Sequence, residues 1–217
     1  MPCTSLQAKA ALALGSDRNQ GHAGFGALLA RADLPPAVTA DLSRRHAEPH
    51  RAFHDAAHVG LMWLRHLTHG GDPADRAMAL AILFHDAGYE PLAPDNEARS
   101  AALLAELAPR TPDWVREAIL ATADHHAYAG TDCRVLRLLD LDLTALAESP
   151  EVFARNSALI RQEYAAVDDA AWRAGRRQVL MRLAAPERLF RTRLAAIYEE
   201  PARANLAAEI AALAEAA

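Results

Sequence analysis

Residues 72–88 read DPADRAMALAILFHDAG, and the character of this stretch decides the fold. Asp72 suits a helix N-cap and Pro73 the first helical position, where a missing N–H costs nothing. The middle, AMALAILF, is apolar on every side, so the helix it forms belongs inside the core rather than on its surface. The run ends at His85-Asp86-Ala87-Gly88. Two ionisable side chains therefore follow Ala81, Ile82, Leu83 and Phe84 in the driest part of the chain. A carboxylate there costs several kcal/mol, or gives up its charge, unless it has a partner. A divalent cation is the most compact partner for Asp86; a hydrogen-bonded His85–Asp86 pair is the alternative.

Upstream, PHRAFHDAAHVGLMWLRHLTH (49–69) starts with a proline and is closed by Gly70-Gly71. That punctuation predicts a helix of about five turns opening at Pro49. Shorter helices are expected from Phe25 to Ala32, ended by Leu34-Pro35-Pro36, and from Val38 to His46. Residues 1–22 carry little pattern. Their end runs into GHAGFG (21–26), which has no preceding strand and so is no nucleotide loop; it reads as a frayed start. Downstream, helices are expected from Pro94 to Leu107, Pro112 to His126, Asp132 to Leu146, Glu151 to Val167, Asp169 to Leu183 and Glu200 to Ala216. There is no strand signal, internal repeat or low-complexity linker. The expected architecture is all-α: a poorly patterned 1–22, then a single helical domain over 23–217. Its core lies at about 38–147, with additional C-terminal helices over about 150–217.

Composition narrows the function. A 217-residue chain with 52% hydrophobic residues can build a sizeable core, and 6% aromatic content favours packed helices. A formal charge of −5 argues against general nucleic-acid binding and suits a small substrate. Cys3 and Cys133 are the only cysteines, which gives neither a disulfide framework nor a thiolate zinc site. No stretch approaches the roughly 18 apolar residues of a membrane helix, and the N-terminus lacks a basic leader pattern. The expectation is a cytoplasmic protein with no membrane partner.

His50, His54 and His58 follow one another at four-residue intervals, so on a helix they would stack along one face, and two could meet one site. Imidazole serves both as a metal ligand and as an acid or base near neutral pH. A chance cluster on a solvated helix is the bland alternative, since six of the ten histidines fall between residues 46 and 69. In VLRLLDLDLTAL (135–146) the stripe Val135, Leu138, Leu139, Ala145 and Leu146 has Asp142 at its centre, so Asp142 points inward. Asp140 falls on a neighbouring face, either supporting the site from behind or solvated. Together His58, His85, Asp86 and Asp142 would make a mixed nitrogen and oxygen site for a divalent ion, with positions left open for water and substrate.

The order His58, then His85-Asp86, then Asp142 resembles the HD-domain superfamily of metal-dependent phosphohydrolases, whose shared core is a bundle of about five helices. AEPHRAFHDAAHV (47–59), FHDAGYEPLAPDNEARS (84–100), ILATADHH (119–126), LDLDLTAL (139–146), IRQEY (160–164) and EEPARANLAAEI (199–210) are together similar to one bacterial subfamily of predicted phosphohydrolases. His54 before His58-Val59, with Asp142-Leu143-Thr144 downstream, is also similar to cyclic nucleotide phosphodiesterases. His46 and Phe53 stand where that subfamily would have tyrosine.

The resemblance implies hydrolysis of a phosphate ester or nucleotide by a metal-activated water. His58, His85, Asp86 and Asp142 would hold the ion, which could be Mn, Ni, Co, Zn, Fe or Mg. His54 would protonate the leaving group, and Asp86 or Asp142 would orient the water. Arg51, Asn96, Glu97 and Ser100 are candidates for holding substrate. Arg51 could equally be a surface arginine, and Asn96 and Glu97 could serve only the first turn of their helix. His125 is a candidate ligand for a second ion, or a solvated residue at a helix end. Arg161, Glu163 and Tyr164, with Arg203 and Asn205, read as a salt-bridged packing surface outside the site. Two rival functions remain at this level. One is a di-iron oxygenase of the same fold, which needs His125 or His126 as ligands. The other is a non-catalytic nucleotide-binding module.

Overall fold

The computed structural model describes residues 17–215. Residues 1–16, which include Cys3 and most of the weakly patterned N-terminus, lie outside the described residues, as do Ala216 and Ala217. The described chain is all-α. Ten helices run in the order α1 (Arg18–Ala32), α2 (Pro36–Arg45), α3 (Ala56–Thr68), α4 (Arg76–Phe84), α5 (Asn96–Leu107), α6 (Asp113–Ala121), α7 (Cys133–Leu143), α8 (Pro150–Glu163), α9 (Asp169–Ala184) and α10 (Ala195–Glu215). Single 3-10 turns at Thr122–Asp124 and Thr144–Ala147 extend α6 and α7.

Helix α4 is the hub, as its sequence demands. Every residue from Met78 to Phe84 is buried, and α1, α3, α5, α6 and α7 pack around it. Its start differs from expectation. Asp75, not Asp72, caps the helix by accepting the Met78 N–H, while the Asp72 carboxylate accepts from Ala74 in a preceding turn. Pro73 therefore lies in that turn. No helix among the described residues is long and apolar enough to cross a membrane.

The glycine-rich GHAGFG is helix, not a frayed end. It presents Gly21 and Gly24 to Gly60 of α3 so closely that a Cβ built on Gly60 would run into the Gly21 carbonyl oxygen. Only glycine permits this approach, and the gain in contact outweighs its poor helix propensity of about 1 kcal/mol.

The expected five-turn helix from Pro49 is also corrected. Residues 46–55 turn instead, and α3 opens at Ala56 under Asp55, whose carboxylate accepts from Ala57 and His58. The peptide N–H groups of Ala52, Phe53 and His54 all donate to one Glu163 oxygen, at 2.7–2.9 Å, so a distant carboxylate replaces the hydrogen bonds a helix would have made. The exit matches the sequence: Gly70 adopts φ 71°, the left-handed conformation that ends a helix. At the other end of the chain α10 begins at Ala195, five residues before the expected start, and runs through Pro201.

Candidate metal centre

Three helices deliver the site. His58 stands in the first turn of α3, His85 caps the C-terminus of α4, and Asp142 lies one residue from the end of α7. The backbone here is fixed by the core, so the side chains converge without a loop to place them. One ligand atom from each of His58, His85 and Asp142 lies within 4.8 Å of the other two, a group that could hold a metal ion. His58 Nε2 is 3.1 Å and His85 Nε2 3.7 Å from Asp142 Oδ1. Asp86 closes the group from the rim, with Oδ2 at 3.0 Å from His85 Nε2 and 3.8 Å from His58 Nε2.

The tautomer of His85 is set locally. Its Nδ1–H donates to the Ile82 carbonyl at 2.8 Å, which turns Nε2 into the cluster. There Nε2 is buried and, despite its nearness to Asp86, makes no hydrogen bond of proper geometry. A buried nitrogen aimed at two carboxylates without a bond of its own is what a ligand awaiting a cation looks like. Electrostatics say the same. Burial opposes charge on His85, yet the Asp86 and Asp142 carboxylates raise its pKa well above that of free imidazole. Burial likewise opposes the charge on Asp142, but hydrogen bonds from His125 and His58 and the nearness of the His85 imidazole hold it well below the usual carboxylate range. Both shifts have one cause: the carboxylates favour a positive charge among these groups.

His125 joins from the far side, its Nε2 2.8 Å from the second Asp142 oxygen. One carboxylate thus faces His58 and His85 with Oδ1 and His125 with Oδ2.

Of the three regularly spaced histidines, His54 and His58 lie together, their rings edge to face at 5.8 Å. His50 turns away to the Tyr89 carbonyl, because the chain at these positions is not helical. His54 Nδ1 is 2.6 Å from Glu163 Oε2, which also accepts the Tyr89 hydroxyl at 2.8 Å. Burial opposes charge on His54, but Glu163, with Asp86 and Asp142 behind it, raises its pKa. The Glu163 carboxyl is held down to about 2, its burial offset by His54 and by the N–H groups of residues 53 and 54.

Glu163 thus belongs beside the site, contrary to the packing role expected of it. The available signal was an acidic residue on the same helical stripe as Phe153 and Ile160. Its partner 109 residues earlier left no mark in the sequence.

The candidate substrate residues are placed elsewhere. Arg51 is buried, and its guanidinium donates to the carbonyl oxygens of His54, Asp86, Ala87 and Tyr89 and to Glu48. No donor is left for a phosphate. Asn96 pairs with the Glu90 backbone through both ends of its amide, and the Ser100 hydroxyl accepts the Gly88 N–H. Glu97 sits in the first turn of α5, where a negative charge favours the helix dipole.

Asp140 is neither solvated nor part of the cluster. Buried, it accepts the backbone N–H groups of Arg191 and Thr192 and so ties α7 to the segment before α10. Asn205 holds the Leu146 and Glu148 carbonyls from the same side. Arg203, also expected on a packing surface, pairs with Glu199. No family model, curated protein or solved structure matches the chain.

Proposed function

We propose that this protein is a metal-dependent phosphohydrolase of the HD kind, acting on a phosphate ester or nucleotide. One observation carries the reading: a buried His58–His85–Asp142 group lies beside an imidazole, His54, that is hydrogen-bonded to a buried carboxylate which raises its pKa. Metal ligands and a proton donor standing side by side are the two tools that splitting a phosphate ester needs. The mixed nitrogen and oxygen set suits manganese, iron, cobalt, nickel or zinc better than magnesium, which prefers oxygen alone. Bound there, the ion supplies Lewis acidity to a water and to the phosphoryl oxygens.

The chain's own groups do the rest. Glu163 accepts the His54 Nδ1–H, which leaves Nε2–H as the proton for the departing oxygen. Tyr89 and three backbone N–H groups fix Glu163, so the imidazole cannot swing away. Asp86, its side chain 17% exposed at the rim, orients the attacking water and accepts a proton from it. The test is release of alcohol or phosphate from a panel of phosphate monoesters and diesters with each divalent metal. Full activity retained in His58→Ala or Asp142→Ala overturns the reading.

The His125–Asp142 contact favours a second reading, a di-iron oxygenase in which His125 and Asp142 would help to hold a second ion. Two irons per chain with oxygen uptake on adding a polyol would select it over hydrolysis; one ion per chain would not.

A further inference from the structure

Helix α9 is held by little. Of its 16 residues only Leu180 is buried, and it packs chiefly on α10. A helix of this length is marginal in water without a packed face. Of the three large apolar side chains exposed among the described residues, two, Val179 and Met181, stand on α9, the mark of a surface that covers something. Met181 falls on one stripe with Ala170 and Ala174. Two open hollows of about 530 and 580 Å³ lie between α9 and α10 and adjoin at Arg177 and Ala214. Their walls are mostly alanine, with Ile210 and Leu213 below, and none of His58, His85, Asp86 or Asp142 lines either.

The open side of α10 has the spacing of a helix seam. Glu200, Ala204, Ala207, Ala211 and Ala214 are all exposed and follow one another at intervals of four, three, four and three residues. That average of about 3.5 is how one helix presents a stripe to another, and alanine lets the two approach closely. The charges at the ends of the face are opposite. Glu200 opens the seam, and Arg177 stands at its far end beside Ala214, with which it lines both hollows. Both are exposed, and neither side chain has an ion pair or hydrogen bond among the described residues.

We propose that this α9–α10 face pairs with the same face of a second copy, through a two-fold axis at Ala207. A two-fold contact of this kind sets the two α10 helices antiparallel and makes every contact twice. The seam runs from Glu200 to Ala214, so overlap is greatest with the axis at its midpoint, Ala207. Position 214 of one copy then meets position 200 of the other, and Arg177 meets Glu200 of the partner subunit at both ends. At 1.5 Å per residue α9 is about 24 Å long, and two helices side by side are about 20 Å wide, a face of about 500 Å². That is less than the ~800 Å² per partner of a standard interface, so the pair forms reversibly.

Sedimentation velocity of the full chain, from about 1 to about 200 µM at low salt, is expected to show the mass rising from one chain to two. Arg177→Glu and Glu200→Arg each set two like-charge pairs across the axis and should weaken association about tenfold or more. An equimolar mixture of the two variants should associate as the parent does, because a mixed pair regains both opposite-charge contacts while each variant's own pair has neither. Mixing would not repair a folding defect. A single-chain mass at the highest concentration, a dimer that neither substitution weakens, or a mixture no tighter than its components overturns the proposal. Oxidation of Ala207→Cys in a Cys133→Ser background should join two chains through the new thiols at the axis. A bond to Cys3 of the same chain would instead seat residues 1–16 on the groove and overturn the pairing, as would no bond at all.

Discussion

His54 Nδ1 lies 2.6 Å from Glu163 Oε2, a hydrogen-bonded pair between residues 109 positions apart, at the edge of a cluster that could hold a cation. The pair raises the His54 pKa above its ordinary 6.5, which widens the pH range over which the imidazole is protonated. Activity is expected to hold on the acid side of that raised pKa and to fall as pH climbs through it. Glu163→Gln removes the charge, moves that fall to lower pH and lowers kcat about tenfold to a hundredfold, a part of the ~10²–10⁴ that a general acid supplies. Glu163 is a positioning residue, so metal content should stay at the parent value. A pH–rate profile that does not move in the variant refutes the role.

Metal affinity should be steeply pH-dependent. An incoming ion displaces the proton that the two carboxylates hold on His85, so affinity rises with pH until that raised pKa is passed and weakens on acidification. Dialysis against manganese or zinc at several pH values, followed by metal analysis, reads this directly. His58→Ala and Asp142→Ala should each lose the bound metal. They should also lose the thermal stabilisation it confers, about 2.7 kcal/mol at a hundredfold excess over Kd.

Arg51 is expected to matter for stability rather than for KM. Arg51→Met strands four carbonyl oxygens around the turn and the His85-Asp86 corner. With buried unpaired groups costing about 1–3 kcal/mol each, partly relieved by water, a loss near 3 kcal/mol in urea unfolding is expected. An unchanged midpoint with a raised KM would instead restore Arg51 as a substrate group.

Gly60→Ala poses propensity against packing. Alanine gains about 1 kcal/mol as a helix former, but its methyl group meets the Gly21 backbone. Overpacking of this sort costs about 1–3 kcal/mol or more, and backbone cannot swing aside as a side chain does. The variant should therefore unfold at lower urea, with Gly26→Ala, which meets nothing, as the control.

Acid should unfold the protein early. Burial pushes His46 down to about 3, and His66 and His69 to about 4. Between those values and 6.5 the unfolded chain binds protons that the folded one refuses, so stability drops as pH falls through that window. His54 and His85 act oppositely, since their raised pKa values favour folding below 6.5, but they are two groups against four, burial holding His126 down as well. His46→Gln keeps a donor for the Leu83 carbonyl without titrating, and is expected to flatten the decline in unfolding free energy measured between pH 6.5 and 4.

The sequence made the centre legible wherever the signal was local. AMALAILF announced a buried helix because no face of it was polar, and Asp142 was readable as inward from the stripe around it. What stayed hidden depended on distant partners. Residues 49–55 looked helical because nothing nearby showed that Glu163 would take three of their N–H groups, or that Arg51 would turn inward to bind carbonyl oxygens. Asp140 could not be assigned because its partners are backbone amides some fifty positions later, and any residue supplies those. GHAGFG read as a frayed start because nothing in it showed that Gly21 and Gly24 would pack against Gly60 of another helix.

Asp140 and Asp142 share a helix and face opposite ways, one gripping the amides of residues 191 and 192, the other aimed into the centre. Whatever steadies one carboxylate therefore steadies the short stretch of chain that the other carries. Ion uptake on one side of α7 should slow protease cleavage on its other side, near residues 185–194. A cut there should, by thermodynamic reciprocity, loosen the grip on the ion.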